Sequence, residues 1–165
     1  MKKDPTKTII LDGRTVSKDS NIMWAIGTLD EANAFIGLAK VFSKDNDVKE
    51  TLENIQRMIF KIGTEVVSRD SKVSEEDYKW LIDIIERFEN SVNKPKSFVI
   101  LEKDEATAFL SVARTVVRRA ERIAVTLHRE GIVSKLFVEW LNKLSYLLYL
   151  MILKEGKEFK EIKVS

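Results

Sequence analysis

Residues 104–131 read DEATAFLSVARTVVRRAERIAVTLHREG, and this stretch decides the fold class. Its apolar residues recur every three or four positions, which is the spacing of a stripe along one face of an α-helix. The helix starts near Asp104, and Gly131 suits the left-handed conformation that ends many helices. The stripe consists of Phe109, Ala113, Val116, Ala120, Ile123 and Leu127. The spacing therefore predicts one long helix over about 104–131.

The same spacing predicts four more helices on either side of this one. They cover about 21–42, a segment after the polar break 43–47, a segment from Ser74 that ends before Pro95, and 134–154. Ser74, followed three residues later by Asp77, is a capping-box signal for a helix start. Long helices joined by short loops predict an all-α fold, an up-and-down five-helix bundle.

The two ends of the chain lack helical spacing. We predict an N-terminal arm at 1–20, the helical bundle at 21–154 and a C-terminal tail at 155–165. The arm contains a β-prone run from Thr8 to Leu11, and the alternating pattern from Phe159 to Val164 suggests a short strand.

Composition limits the chemistry that this single domain can carry. The 165 residues include no Cys and one His, which excludes thiolate metal sites, Cys nucleophiles and any site that needs two imidazoles. The formal net charge of +2 gives no sign of a general nucleic-acid surface. We therefore expect no protein-borne metal site and no nucleic-acid partner. Abundant Lys and Glu without Cys also suit a heat-adapted organism.

The sequence contains no secretory leader, and its longest apolar run, 144–153, is too short to cross a bilayer. We interpret that run as a core helix of a cytoplasmic protein without a membrane partner. The helices predicted at 104–131 and 134–154 are apolar around more than half of their circumference. A monomeric bundle needs only one apolar stripe, so we expect this pair of helices to make oligomer contacts.

An arginine cluster is the densest chemistry in the chain. Arg114, Arg118 and Arg122 recur every four residues, with Arg119 and Glu121 between them. Like charges at this spacing repel each other on a helix surface. One interpretation is a solvated basic face that Glu121 relieves. The other is an anion site, in which guanidinium groups bind a polyphosphate or a carboxylate.

Polar groups also interrupt two other apolar helices. Asp30 and Asn33 lie on one face of the first helix, and Asn142 lies within the last helix. An exposed polar strip would explain Asp30, and so would an ion pair with Arg114 across the bundle. A buried Asn142 would need a partner from the bundle or from a ligand.

Four segments in register carry a resemblance to a known family. Residues 113–122 read ARTVVRRAER, residues 27–33 read GTLDEAN after VSKD at 16–19, residues 141–145 read LNKLS, and residues 52–63 match a further helical segment. These segments resemble the A-R-T-x-x-R-R-A-E-R, V-S-K-D-D…G-T-V-D-E-L-N, L-N-R-L-S-D and I-Q-x-x-L-F-x-L-G patterns of PduO-type ATP:cob(I)alamin adenosyltransferases. The likeness covers about residues 6–153.

The resemblance implies a fold, an assembly and a reaction. Members of the family are five-helix bundles that assemble as homotrimers, with a ferritin-like arrangement of helices. They transfer the 5′-deoxyadenosyl group of ATP to the cobalt of reduced cobalamin and release triphosphate. ATP and a corrinoid are therefore the expected ligands, Mg²⁺ is the expected companion of the polyphosphate, and a cobalamin-dependent enzyme is a conceivable acceptor of the product.

The resemblance also implies roles for residues that match the family motifs. Arg118 would hold the ATP phosphates, and Arg114 would pair with Asp30 across a subunit boundary. These three form the expected catalytic set. The further ATP-binding residues would be Thr6, Lys7, Lys18, Arg119, Glu121 and Asn142. Phe98, sixteen residues before Arg114, would lie beneath the corrin and exclude the lower axial ligand of the cobalt.

The chain departs from the family pattern at several positions. Ile22 and Trp24 stand where the family has Arg and Glu, Tyr146 replaces the Asp after L-N-R-L-S, and two loops differ. Thr6-Lys7-Thr8 is followed at once by Ile9, where the family has a Gly-rich loop, and Leu101-Glu102-Lys103 replaces a P-G-G turn. Two other hypotheses therefore stand beside an active adenosyltransferase. One is a non-catalytic paralogue that binds a corrinoid or a nucleotide, and the other is a purely structural helical oligomer.

Overall fold

The computed structural model describes residues 4–162, so expectations that fall on residues 1–3 and 163–165, including Val164, lie outside it. Five helices account for most of this part of the chain, as predicted. The helices are α1 (Asn21–Phe42), α2 (Asn46–Ser68), α3 (Glu75–Glu89), α4 (Glu105–Arg129) and α5 (Lys135–Gly156). Four short strands flank them: β1 (Lys7–Ile9), β2 (Thr15–Ser17), β3 (Phe98–Val99) and β4 (Glu161–Ile162).

Side chains at the helix starts fix where the helices begin. The capping box between Ser74 and Asp77 is present at the start of α3, as predicted. Asp104 forms a second capping box with Thr107 at the start of α4. The second helix begins at Asn46, inside the predicted break, because the Asp45 side chain accepts a hydrogen bond from the backbone N–H of Val48.

The helices pack around one apolar core. Helix α1 packs against α2 and α4, and α5 packs against α4 and α3. Trp140, Phe88 and Phe137 are among the largest buried side chains. The connection between α3 and α4 is longer than the other loops, and β3 lies within it.

Helix α5 has the largest share of buried residues among the five helices. Among the helices between residues 4 and 162, α5 alone has the length and hydropathy of a membrane span, and 61% of its most apolar window is buried inside the chain. Its run from Leu144 to Leu153 lies in the core, as predicted. Most apolar side chains of α5 are buried within one chain, beside α4 and α3, so its composition alone does not require an oligomer interface. The expected oligomer contacts through the pair of α4 and α5 stay a prediction.

Several large apolar side chains are exposed on α1, on α2 and in the N-terminal arm. Trp24, Val41 and Phe42 are exposed on α1, Phe60 is exposed on α2, and Leu11 is exposed in the arm.

The described arm is a hairpin in which β1 pairs antiparallel with β2. In the tail, β4 pairs antiparallel with β3, so that Phe98 lies opposite Ile162 and Val99 opposite Glu161.

Candidate functional site

The arginine cluster lies along α4, where its members have different surroundings. Arg118 is exposed and makes no ion pair with any residue between 4 and 162. Arg119 forms an ion pair with Glu31 of α1. Arg122 donates a hydrogen bond from Nη1 to the backbone oxygen of Arg118 at 3.1 Å. Arg118 and Arg122 are thus exposed members of this group without a carboxylate partner among residues 4–162, and their charges are available to an anion.

Glu121 and Asn142 come together from neighbouring helices. The Asn142 side-chain Nδ2 donates to Glu121 Oε1 at 2.8 Å, which joins α5 to α4 next to Arg118. Asn142 is exposed, and Glu121 is half-buried. Because Asn142 is exposed and not buried, it does not need a partner, but it bonds to Glu121 at a position that a ligand can still reach.

Arg114 lies farther toward the start of α4, at a groove of about 550 Å³. The loop between α3 and α4 forms the opposite wall of this groove, and Phe98 and Tyr149 also line it. Phe98 is 75% exposed, which is unusual for so large an apolar side chain. The Nε of Arg114 is buried and has no hydrogen-bond partner in the described part of the chain. This groove therefore joins an exposed aromatic ring to an unsatisfied guanidinium.

Asp30 lies at a different groove of about 590 Å³, between the arm, α1 and α2. Its lining is largely apolar and includes Ile9, Ile59 and Phe60. Asn33 also lines it, and its Oδ1 is buried without a partner within the described residues. A polar atom left without a partner in such a place commonly bonds to something that the single chain does not supply.

Asp30 and Arg114 do not form an ion pair within one chain. Both residues are described, and neither takes part in any ion pair between residues 4 and 162. The suggestion that they pair across a single bundle is therefore wrong, because Asp30 and Arg114 line separate grooves. The pairing across a subunit boundary stays a prediction.

The predicted arm residues lie close together on the hairpin. The backbone N–H of Lys18 donates to the backbone oxygen of Thr6 at 2.8 Å. The hydroxyl and the backbone N–H of Thr6 both donate to the Asp4 carboxylate, at 2.6 and 3.0 Å, and these two bonds hold the pKa of Asp4 below its usual range. Thr6, Lys7 and Lys18 are all exposed. The hairpin is thus a small platform with two lysines near the groove of Asp30.

Sequence reasoning missed two residues at these sites, and it missed Lys103 in the loop that carries Phe98. Glu31 neutralises Arg119, Tyr149 lines the groove of Phe98, and Lys103 binds the C-terminal tail. Glu31 follows Asp30 directly in the sequence. Which of these two side chains points toward the arginines depends on the rotation of α1 against α4, which the sequence does not show. Tyr149 belongs to an apolar run whose spacing gives no sign of a groove.

No group of three or more His, Cys, Asp or Glu side chains able to hold a metal ion is present from residue 4 to residue 162. A cation at the arginine cluster would therefore depend mainly on oxygen atoms of a ligand. Glu121 could add a carboxylate oxygen, because only its Oε1 is used by Asn142.

A family model described as cobalamin adenosyltransferase matches residues 1–155 of the chain. The chain belongs to the cobalamin adenosyltransferase family. It is 33% identical over 153 residues to the corrinoid adenosyltransferase PduO of Citrobacter freundii, covering 88% of this chain and 46% of that protein. It is 36% identical over 160 residues to a corrinoid adenosyltransferase of Mycobacterium tuberculosis, covering 90% of this chain and 82% of that protein.

Solved structures give the same fold. A variant PduO-type ATP:corrinoid adenosyltransferase from Lactobacillus reuteri, complexed with cobalamin and ATP, matches with a TM-score of 0.81 at 24% identity. The match covers 95% of this chain and 93% of that chain. The chain spans about half the length of the PduO proteins of Citrobacter and Salmonella that it matches, 46% and 48%. The predicted family and five-helix fold are thus confirmed.

Proposed function

We propose that this cobalamin adenosyltransferase family member transfers the 5′-deoxyadenosyl group of ATP to the cobalt of cob(I)alamin and releases triphosphate. One observation carries the proposal. The buried, unpartnered Nε of Arg114 lies at the same groove as the exposed ring of Phe98, and Arg118 follows one turn later on α4. The groove thus offers an apolar face to a corrin next to cationic groups for a polyphosphate.

The reaction needs no nucleophile from the protein. The cobalt(I) of the substrate supplies the electron pair that forms the bond to C5′ of ATP. The bond between C5′ and the 5′ oxygen breaks, and its electrons leave with triphosphate. The protein must hold the two substrates in line and stabilise negative charge on the leaving group. The absence of Cys from the sequence and its single His fit these requirements.

Separate groups would meet these two requirements. Arg118, exposed and free of ion pairs among residues 4–162, would bind the phosphates and stabilise the departing triphosphate. Glu121, held by Asn142 at 2.8 Å, would orient the nucleotide, and Arg119 would lie close by. Phe98 would cover the lower face of the corrin and exclude an axial ligand, which favours the reduced state of the cobalt.

The site would be completed between subunits of a homotrimer. The N-terminal arm lines the groove of Asp30 and carries Thr6, Lys7 and Lys18. Arg114 lines the other groove. A neighbouring copy could bring its Asp30 to the Arg114 guanidinium and its arm to the phosphates. Charge complementarity supports this arrangement, because neither the Asp30 carboxylate nor the Arg114 guanidinium has an ion-pair partner within residues 4–162 of its own chain.

Mg²⁺ would accompany ATP in this site and neutralise part of the phosphate charge. The residues present suit a cation shared with phosphate oxygens, because Glu121 keeps one carboxylate oxygen free of Asn142. The protein would work in the cytoplasm of a heat-adapted cell. It would bind neither nucleic acid nor a membrane and would pass its product to a cobalamin-dependent enzyme.

An anaerobic spectral assay tests the proposal. Purified protein is mixed with ATP, Mg²⁺ and chemically reduced cob(I)alamin, and the cobalt(I) spectrum is followed as adenosylcobalamin forms. Arg118→Ala should lower kcat/KM by about 100-fold or more, the loss seen when a single charge-stabilising donor is removed. Arg129→Ala, also exposed on α4, is the matched control and should leave the rate unchanged.

The other outcomes separate the alternatives. ATP or corrinoid binding by the wild type without conversion would indicate the non-catalytic paralogue. An intact oligomer that binds neither ligand would indicate the structural role. Conversion that persists in Arg118→Ala at the wild-type rate would contradict the assignment of Arg118.

A further inference from the structure

Lys103 is bound to the C-terminal tail by its side chain. Its Nζ donates to the backbone oxygen of Gly156 at 2.8 Å and to the backbone oxygen of Glu158. The same ammonium group lies 5.4 Å from the ring centroid of Phe159, a cation–π distance. One lysine at the start of α4 therefore contacts three residues at the end of α5 and beyond it.

Phe159 is seated against the last residue of α5. A Cβ atom added to Gly156 would lie 2.2 Å from Cζ of the Phe159 ring, which is closer than real contacts allow. Between them, Lys157 adopts a left-handed φ of 58° and turns the chain back toward the bundle. The absence of a side chain at Gly156 thus lets the tail fold down over the helix end.

The tail then pairs with the segment that carries Phe98. Strand β4 runs antiparallel to β3, with Ile162 opposite Phe98 and Glu161 opposite Val99. Two strands of two residues each have little stability of their own. Their pairing therefore depends on what holds the tail in place, and the groups that do so are Lys103 and Phe159.

We propose that Lys103 is a positioning residue. By clamping residues 157–162 as a strap, it holds β3, and with it the exposed ring of Phe98, at the wall of the Arg114 groove. The role in catalysis rests on the proposed function, whereas the clamp itself does not. Lys103 lies in the Leu101-Glu102-Lys103 segment that replaces the family's P-G-G turn, so the clamp belongs to this chain's own version of that loop.

Hydrogen exchange of the ligand-free protein, followed by mass spectrometry, tests the clamp without reference to any reaction. In Lys103→Met, the peptides that cover 96–101 and 157–162 should exchange about tenfold faster than in the wild type, because a charge-assisted contact to two carbonyls is lost. Lys160→Met is the matched control, since Lys160 is exposed in the same tail and has no hydrogen bond or ion pair with the described residues.

Gly156→Ala is a second, independent variant. Alanine is a better helix former than glycine, so α5 is preserved while the new methyl group displaces the Phe159 ring. It should accelerate exchange in the same two peptides. Unchanged exchange in both Lys103→Met and Gly156→Ala would overturn the clamp.

Steady-state kinetics test the positioning of Phe98. Lys103→Met should raise KM for cob(I)alamin about fivefold and leave kcat and KM for ATP within about twofold, since only the corrin-facing wall is loosened. A fall in kcat alone, or an equal rise in both KM values, would overturn this role. A wild type that binds no corrinoid would refute the proposed function, while the exchange experiment would still decide the clamp.

Discussion

Asn142 on α5 donates a hydrogen bond from its side-chain amide to Glu121 on α4, with Nδ2 and Oε1 2.8 Å apart. The two residues are 21 positions apart in the sequence and belong to two different motifs. Their contact places an oriented carboxylate one turn from the exposed Arg118. A carboxylate held beside a guanidinium without an ion pair can select the orientation of a charged ligand rather than simply neutralise the arginine.

Replacing this amide with a carboxylate should disturb ATP binding. Asn142→Asp places two negative charges within hydrogen-bond distance, and the repulsion should raise KM for ATP about tenfold, which corresponds to about 1.4 kcal/mol. The thermal midpoint should change little because Asn142 is exposed. Asn54→Asp, exposed on α2, is the control. A KM for ATP equal to that of the wild type would contradict a nucleotide role for the pair.

The predicted ion pair between Asp30 and Arg114 of neighbouring subunits can be tested by charge reversal. Arg114→Asp alone, or Asp30→Arg alone, should dissociate the oligomer in sedimentation velocity, because breaking a buried ion pair costs about 3–5 kcal/mol. The double variant should restore assembly, since the charges are exchanged but still opposite. If both single variants sediment as the wild type does, the two residues do not meet across the interface.

Glu65 should be the carboxylate whose replacement lowers the free energy of unfolding most. It is only 1% exposed, and it accepts backbone hydrogen bonds from Lys72 at 2.7 Å, Val73 at 3.1 Å and Ser134 at 2.7 Å. Glu65→Ala leaves these donors without their acceptor and should lower the free energy of unfolding by about 3 kcal/mol or more.

Urea denaturation measures this effect. Glu65→Gln keeps one acceptor oxygen and should lose less, while Glu50→Ala on the exposed face of α2 should change the free energy by less than about 0.5 kcal/mol. Equal losses in Glu65→Ala and Glu50→Ala would show that the three contacts contribute no stability.

Asp104, the N-cap residue of α4, should make the stability of the protein depend on pH in the acidic range. The backbone N–H of Thr107 donates to its carboxylate, which holds the pKa of Asp104 below its usual 3.8. A pKa lowered in the folded state stabilises the protein above the unfolded pKa, and this contribution is lost as the pH falls below about 3.8 through the folded value.

Thermal midpoints measured between about pH 5 and pH 3 test this contribution. Asp104→Asn keeps a good cap without a titrating group, so its midpoint should fall less than that of the wild type over this range. Parallel pH profiles for the two proteins would mean that the carboxylate charge adds nothing to the cap.

The local spacing of the sequence predicted the helices well, because each helix depends on interactions within a few residues. The stripe from Phe109 to Leu127, the capping box of Ser74 and the left-handed Gly131, with a φ of 72°, are all found as predicted. The start of α2 was predicted too late, since either of two neighbouring acidic residues, Asp45 or Asp47, could have capped it.

Contacts between elements were less accessible to sequence reasoning. The apolar excess of α5 suggested oligomer contacts, but most of its apolar side chains are buried within the chain, beside α3 and α4. The position of α5 within the bundle, and not its composition, decides whether an apolar surface is core or interface. Likewise, Asp30 and Glu31 are adjacent in the motif, but only Glu31 meets an arginine of its own chain.

The sequence by itself determined the five helices, their caps, the family and the residues that carry its motifs, because these depend on spacing along the chain and on residue identity. Only the tertiary structure decided that Arg114 and Phe98 share a groove, that Asn142 holds Glu121 and that Lys103 clamps the tail. Those relationships join residues far apart in the sequence, and they follow from how the helices rotate and pack against one another, which no local pattern encodes.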